Sequence, residues 1–171
     1  SELTVEAIPS VARTLNFTLT GRDNVANGGQ TGTDEMIVTV SGTVGPFDVT
    51  SQAVDGISWT QGSQETITWA VGGTTALVGS ANVDIMLSID GGQTFNTTLA
   101  SNVPNTGSYT ITVPNIAAPF CRIMVKPTGN IYYDINVKNF AIGYTITTEC
   151  TTYTNSTPLS IPDGVGSNLP G

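Results

Sequence analysis

The run Ser88-Ile89-Asp90-Gly91-Gly92-Gln93-Thr94-Phe95 has the most distinctive spacing in this chain. It fits the pattern S-x-D-x-G-x-T-(W/F), the Asp-box. In such a turn the aspartate accepts hydrogen bonds from backbone amides, the glycines supply positive φ, and the aromatic residue tucks beneath the hairpin. Ser88, Asp90, Gly92, Thr94 and Phe95 are the residues concerned. Their chemical reading is a glycan site; their structural reading is a self-contained turn. A single copy with no repeats around it favours the turn.

Two further clusters offer oxygen ligands. The loop that begins Asp23-Asn24 and ends Asp34-Glu35 brings together Asp23, Asn24 and Asp34, which could converge on calcium at one end of a sandwich; a solvated turn is the alternative. Asp134, Asn136 and Asn139 have a metal-like spacing, but calcium takes six to eight oxygens, several of them carboxylates, and Asx-turns account for the same residues. No cofactor is required by anything in the chain. Trp59, Tyr109, Tyr132 and Tyr133 are the aromatic residues that would stack on a sugar ring if exposed, and half-buried strand positions are their plainer reading. Cys121 begins one strand and Cys150 follows the next. A hairpin centred near residues 132–134 would bring the two together, so they form a candidate disulfide, with two unpaired thiols as the alternative.

Composition removes whole classes of function. The chain has 171 residues and no histidine, so it carries neither a Ser-His-Asp or Cys-His relay nor a His-ligated catalytic zinc. Five basic residues against thirteen acidic ones leave a net charge of −8, which builds no phosphate-binding patch and disfavours nucleic acid and anionic membrane surfaces as partners. No run approaches the ~20 apolar residues that span a bilayer, so no membrane insertion is expected. No carboxylate pair is placed for glycoside hydrolysis, and no phosphate loop, CxxC or nucleophile elbow occurs.

The elements that must position these residues are strands. Helical periodicity is absent, and short segments alternating with period two recur between Gly, Asn, Asp and Pro clusters. Strands are predicted at 13–21, 35–43, 46–50, 64–71, 82–88, 95–100, 107–113, 121–126 and 139–147. The predicted class is all-β: an immunoglobulin-like antiparallel β-sandwich over residues 45–147, preceded by a β-hairpin from an adjacent sandwich over 1–44. Trp69, flanked by Ile67 and Val71, is the expected core aromatic, faced by Ile85, Leu87, Ile111, Val113, Ile123 and Val125. Two long strands alone bury too little to be stable, so the hairpin must pack on the next domain or belong to one upstream of Ser1. Residues 148–171 lose alternation, gain Pro, Gly, Ser and Thr, and read as a linker.

The segments "LNFTLTGRDN", "DEMIVTVSGTVGPFDVT", "SWTQGSQETITWAVGGT", "VDIMLSIDGGQTFNTTLASNVPNTGSYTITVPN" and "CRIMVKPTGNIYYDINVKNFAI" together resemble the immunoglobulin-like region of large secreted Bacteroidetes proteins, best of all reprolysin-like zinc metalloproteases. The tail "TPLSIPDGVGSN" is similar to the opening of a proprotein-convertase-type P domain. The resemblance implies an extracellular bacterial protein exported by the type IX route, with this region lying between a catalytic domain and a P domain. Neighbouring domains of the same polypeptide are then its partners. No catalytic residue carries over, because the family's H-E-x-x-H has no counterpart here. An adhesin or carbohydrate-binding module, with a polysaccharide or cell-surface glycan as partner, is the alternative.

Overall fold

A computed structural model describes residues 11–23, 25 and 28–146. The first two strands, β1 (Arg13–Arg22) and β2 (Thr31–Val40), form an antiparallel ribbon with a continuous register from Arg13↔Val40 to Arg22↔Thr31. Alternation assigns the faces. Leu15, Phe17 and Leu19 lie on one side with their partners Val38, Met36 and Asp34, while Thr14, Asn16 and Thr18 lie on the other with Thr39, Ile37 and Glu35. β2 starts at Thr31 rather than at the expected residue 35. The polar stretch Thr31–Asp34 pairs with Leu19–Arg22 because ladder hydrogen bonds need only backbone, so a loop-like composition did not end the strand.

Nine short strands follow: β3 (Asp48–Val49), β4 (Ser58–Trp59), β5 (Gln64–Ala70), β6 (Asn82–Ser88), β7 (Thr97–Pro104), β8 (Ser108–Thr112), β9 (Ala118–Pro127), β10 (Asp134–Ile135) and β11 (Phe140–Ile142). The larger sheet runs β4-β11-β9-β6-β7, with β10 also paired to β9; the smaller runs β3-β5-β8. One 3₁₀ turn, Thr74–Ala76, interrupts the β pattern. The described strands pair antiparallel except for β4 and β11, which lie parallel with Ile142 opposite Trp59. β4 and β10 escape sequence reading because two residues have no detectable period.

The core lies between the two sheets. Val49, Ile67, Trp69, Ile111 and Val113 from the smaller sheet meet Val83, Ile85, Leu87, Ile123, Val125, Phe140 and Ile142 from the larger, and all of them are buried. Trp69 is the expected core aromatic. Its indole Nε1 donates to the Asn105 side-chain oxygen at 2.8 Å, and the Asn105 amide in turn donates to the Ser80 carbonyl at 3.0 Å. A buried indole N–H without such an acceptor would be destabilising, so Asn105 completes the tryptophan site. At the rim, Gly79 and Gly129 meet backbone to backbone. A Cβ on Gly79 would stand 2.1 Å from the Gly129 carbonyl oxygen, and Gly79 also has φ of 75°, so no larger residue fits.

Candidate functional site

The Asp-box is assembled by the β6–β7 connection. β6 ends at Ser88, and the chain reverses through Gly91 and Gly92, both at positive φ (77° and 98°). Asp90 Oδ1 accepts from Ser88 Oγ at 2.6 Å and from the amides of Gln93 and Thr94 at 3.0 and 2.9 Å. Its Oδ2 accepts from Thr94 Oγ1 at 2.6 Å. Ser88 Oγ, wholly buried, also accepts the Gly92 amide at 2.8 Å. These donors stabilise the ionised carboxylate. The Ser88 hydroxyl acts most strongly, then Thr94, and together they hold Asp90 well below the usual carboxylate range. The turn is tied to the sheet as well, since the Gly91 amide donates to the Phe120 carbonyl at 2.8 Å. Both oxygens of Asp90 are thus engaged inside the turn, which is the structural reading.

Asp134, Asn136 and Asn139 are likewise turned inward. Asp134 Oδ2 accepts the Val49 amide at 2.7 Å, linking β10 to the smaller sheet. Asn136 has no solvent exposure; its Oδ1 accepts the Ile123 amide at 2.7 Å while its Nδ2 donates to the carbonyls of Gln52 at 3.0 Å and Lys138 at 2.5 Å. Asn139 Oδ1 accepts from Arg122 Nε at 2.7 Å. Asp134 Oδ2 and the side-chain oxygens of Asn136 and Asn139 are each held by a protein donor.

Other expected positions fall apart in space. Asp23 follows Arg22 at the loop end of the ribbon, where its Oδ1 accepts the Gln30 amide at 2.5 Å. Asp34 sits on β2 opposite Leu19. Four residues of strand separate Asp34 from Gln30, about 13 Å at ~3.3 Å per residue, so register keeps the two carboxylates apart and does not converge them on calcium. Asn24, the third of that set, lies outside the described residues. Among the described residues no group of three or more His, Cys, Asp or Glu side chains could hold a metal ion.

The aromatic set is also corrected. Trp59 is only 3% exposed and packs on Phe140 with ring centroids 4.4 Å apart, so it is a core residue and offers no sugar platform. It closes the edge of the larger sheet, a role that its two-residue strand concealed. Tyr109 lies on β8 in the smaller sheet, opposite Ile67 in register. Tyr132 packs edge-on against Phe47 at 5.1 Å. Tyr133 is exposed beside it. These residues do not form one surface. Cys121 is fully buried opposite Phe140, its thiol pushed up to about 11 by burial, and Cys150 lies outside the described residues.

One feature went unread in the sequence. Val38 and Val40 of β2, the segment Val44–Phe47, Leu77, and Ile131, Tyr132 and Tyr133 line a mainly apolar cleft of about 840 Å³ between the ribbon and the sandwich. The consecutive Ile131-Tyr132-Tyr133 within a polar loop was its available signal.

Two β-sheets enclosing a core of alternating residues with two buried tryptophans, and a set of polar side chains that bond to their own fold, define an immunoglobulin-like β-sandwich module. Residues 54–119 match the family described as the Kre9/KNH-like N-terminal Ig-like domain. No curated protein matches the chain. No helix among the described residues is long and apolar enough to cross a membrane.

Proposed function

We propose that this chain is a non-catalytic spacer within a secreted or cell-surface bacterial multidomain protein, with a zinc metalloprotease as the parent that its sequence resemblance implies. The observation that carries this reading is the inward engagement of the polar side chains. Asp90, Asp134, Asn136 and Asn139 all serve turns and strand junctions, and a chain without histidine offers no imidazole to work beside them. An acidic exterior rich in Thr and Asn suits solubility outside a cell. The sandwich would hold neighbouring domains of the same polypeptide at a fixed separation.

The sequence of the parent polypeptide upstream of Ser1, obtained by peptide mapping of the secreted protein, tests the assignment. An H-E-x-x-H with a third histidine shortly after it supports the protease parent, and a series of further sandwiches without it refutes that parent. A second reading, a glycan-binding module, rests on Tyr133, which is 58% exposed and lines the apolar cleft. Tryptophan emission would be a poor reporter, since Trp59 and Trp69 are both buried. Chemical shifts of Tyr132 and Tyr133 during polysaccharide titration are the suitable readout, and unmoved shifts refute binding there.

A further inference from the structure

We propose that the cleft is a peptide site, in which an extended apolar segment of a partner polypeptide, basic at its C-terminal end, adds as a strand to the free edge of β2. The proposal goes beyond the spacer reading and gives to a peptide the cleft that the glycan reading would use.

The cleft follows the edge of β2. Ile37, Val38, Thr39 and Val40 all line it, although consecutive strand residues point to opposite faces, and no residue of β1 does. Among the described residues β1 and β2 form a two-stranded sheet, so the edge of β2 away from β1 has no strand on it. Alternate residues of these four turn both N–H and C=O towards that edge. Such an edge invites another strand, and folds usually defend it with charge, proline or a bulge. Ile37–Val40 has none of these: all four are β-branched, none is charged, and the register runs through them without a shift. The same cleft is lined by Val78 and Ile131, 92% and 73% exposed, and by Tyr133. An undefended edge beside exposed apolar side chains is the arrangement by which a sheet takes up an extended peptide.

Size and charge define the guest. An extended strand occupies about 4.8 Å by 10 Å in section and ~3.3 Å in length per residue, roughly 160 Å³. The cleft volume of about 840 Å³ therefore holds about five residues, and the four β2 residues beside it span about 13 Å. No charged side chain lines the cleft, so the residues inserted there are neutral, with apolar side chains at alternate positions. Asp34 and Glu35 lie just beyond Ile37 on β2, exposed and without an ion pair among the described residues. The antiparallel register, the more stable of the two, places the C-terminal end of the guest beside them, so that end is basic. The net charge of −8 acts in the same direction.

Amide NMR of the 171-residue chain with the capped peptide VTVTVK tests this. In the chain alone, those amides of 37–40 that point away from β1 should exchange fast. The peptide should produce saturable shifts at Tyr132 and Tyr133, with half-saturation below about 1 mM, and should slow exchange by about tenfold or more at alternate residues of 37–40. The peptide VTPTVK, which lacks a central donor, should bind about fivefold or more weakly. The peptide VTVTVE should bind about two- to fivefold more weakly than VTVTVK, and Glu35→Lys should reverse that order. Ile131→Lys, at an exposed position, should weaken binding about fivefold and leave the shifts of β5 fixed. Absence of saturable shifts, or shifts without alternating protection, overturns the proposal. Edge amides already protected in the chain alone assign the edge to another segment of this chain, and protection that rises with concentration assigns it to a second copy; either result overturns it. Shifts of Tyr133 with a polysaccharide but none with VTVTVK assign the cleft to sugar and overturn it too. The spacer reading stands or falls on the parent sequence, so the two readings fail separately.

Discussion

Replacing Asn136 should unfold the sandwich more readily than replacing any exposed residue of similar size. The side chain is fully buried and bonds to three backbone groups, the Ile123 amide and the Gln52 and Lys138 carbonyls. In Asn136→Ala the Ile123 N–H, inside central strand β9, loses its partner with no route to water, at a cost of about 1–3 kcal/mol. The Gln52 carbonyl keeps a 3.3 Å bond from the Lys138 amide, and the Lys138 carbonyl is partly solvated, so each of those losses is nearer ~1 kcal/mol. The total is about 3–5 kcal/mol. For a sandwich of this size that corresponds to a fall in Tm of about 15–25 °C. Asn136→Asp sharpens the test. Its carboxylate would keep the Ile123 acceptor but face two carbonyl oxygens, so the buried acid is favoured neutral and its folded pKa is raised. A raised acid is fully stabilising only below the unfolded value near ~3.9, so the variant should lose stability as pH rises from about 4 to 7. Urea unfolding followed by near-ultraviolet circular dichroism gives both results. A change under 1 kcal/mol for Asn136→Ala, or a variant Asn136→Asp with no added pH dependence, would refute the reasoning.

Asp90 gives the opposite pH response. Its folded carboxyl is held below the usual range, so its contribution is complete above the unfolded pKa and is lost as pH falls, and the difference in Tm between wild type and Asp90→Ala should shrink from pH 5 to pH 2. The amide shifts of Gln93 and Thr94 should move in Asp90→Ala while those of β5 stay fixed. Gly79→Ala should cost about 3 kcal/mol or more, because its Cβ would collide with the Gly129 carbonyl. Gly91→Ala, with nothing within 4 Å of its Cβ, should cost only the ~1–2 kcal/mol of a left-handed residue. Trp59→Ala should lower stability by about 3–5 kcal/mol and leave any polysaccharide titration unaltered, whereas binding lost without loss of stability would return Trp59 to the surface. In the reduced, folded protein Cys121 should resist iodoacetamide at pH 8 and react once urea unfolds the sandwich.

The long strands were legible because their signal is periodic over several residues. Ile67 and Trp69, Ile85 and Leu87, and Ile123 and Val125 stand two positions apart on their strands, and all six are buried as expected. The Asp-box was legible because its side-chain bonds lie within a few residues of sequence. What escaped was long-range. Trp59 looked available for a ligand because nothing nearby in sequence covers it; Phe140, eighty-one positions on, does so. Asn136 looked like one member of a ligand set, but its partners at Gln52 and Ile123 come from separate elements. The separation of Asp23 from Asp34 depends on a register that composition alone does not set.

The parallel pairing of β4 with β11 has a consequence for how the sandwich would bear a pull along its chain. β11 is the last described strand and lies inside the larger sheet, flanked by β4 on one side and β9 on the other. Tension applied to the following chain therefore pulls along a strand clasped from both sides. Its cross-strand bonds would be loaded in shear and have to fail together, whereas a hairpin edge peels one bond at a time. Phe140 and Ile142, both seated in the core, would have to leave it in the same event. The short β11, easily overlooked for its three residues, is the latch against which a stretched polypeptide would draw.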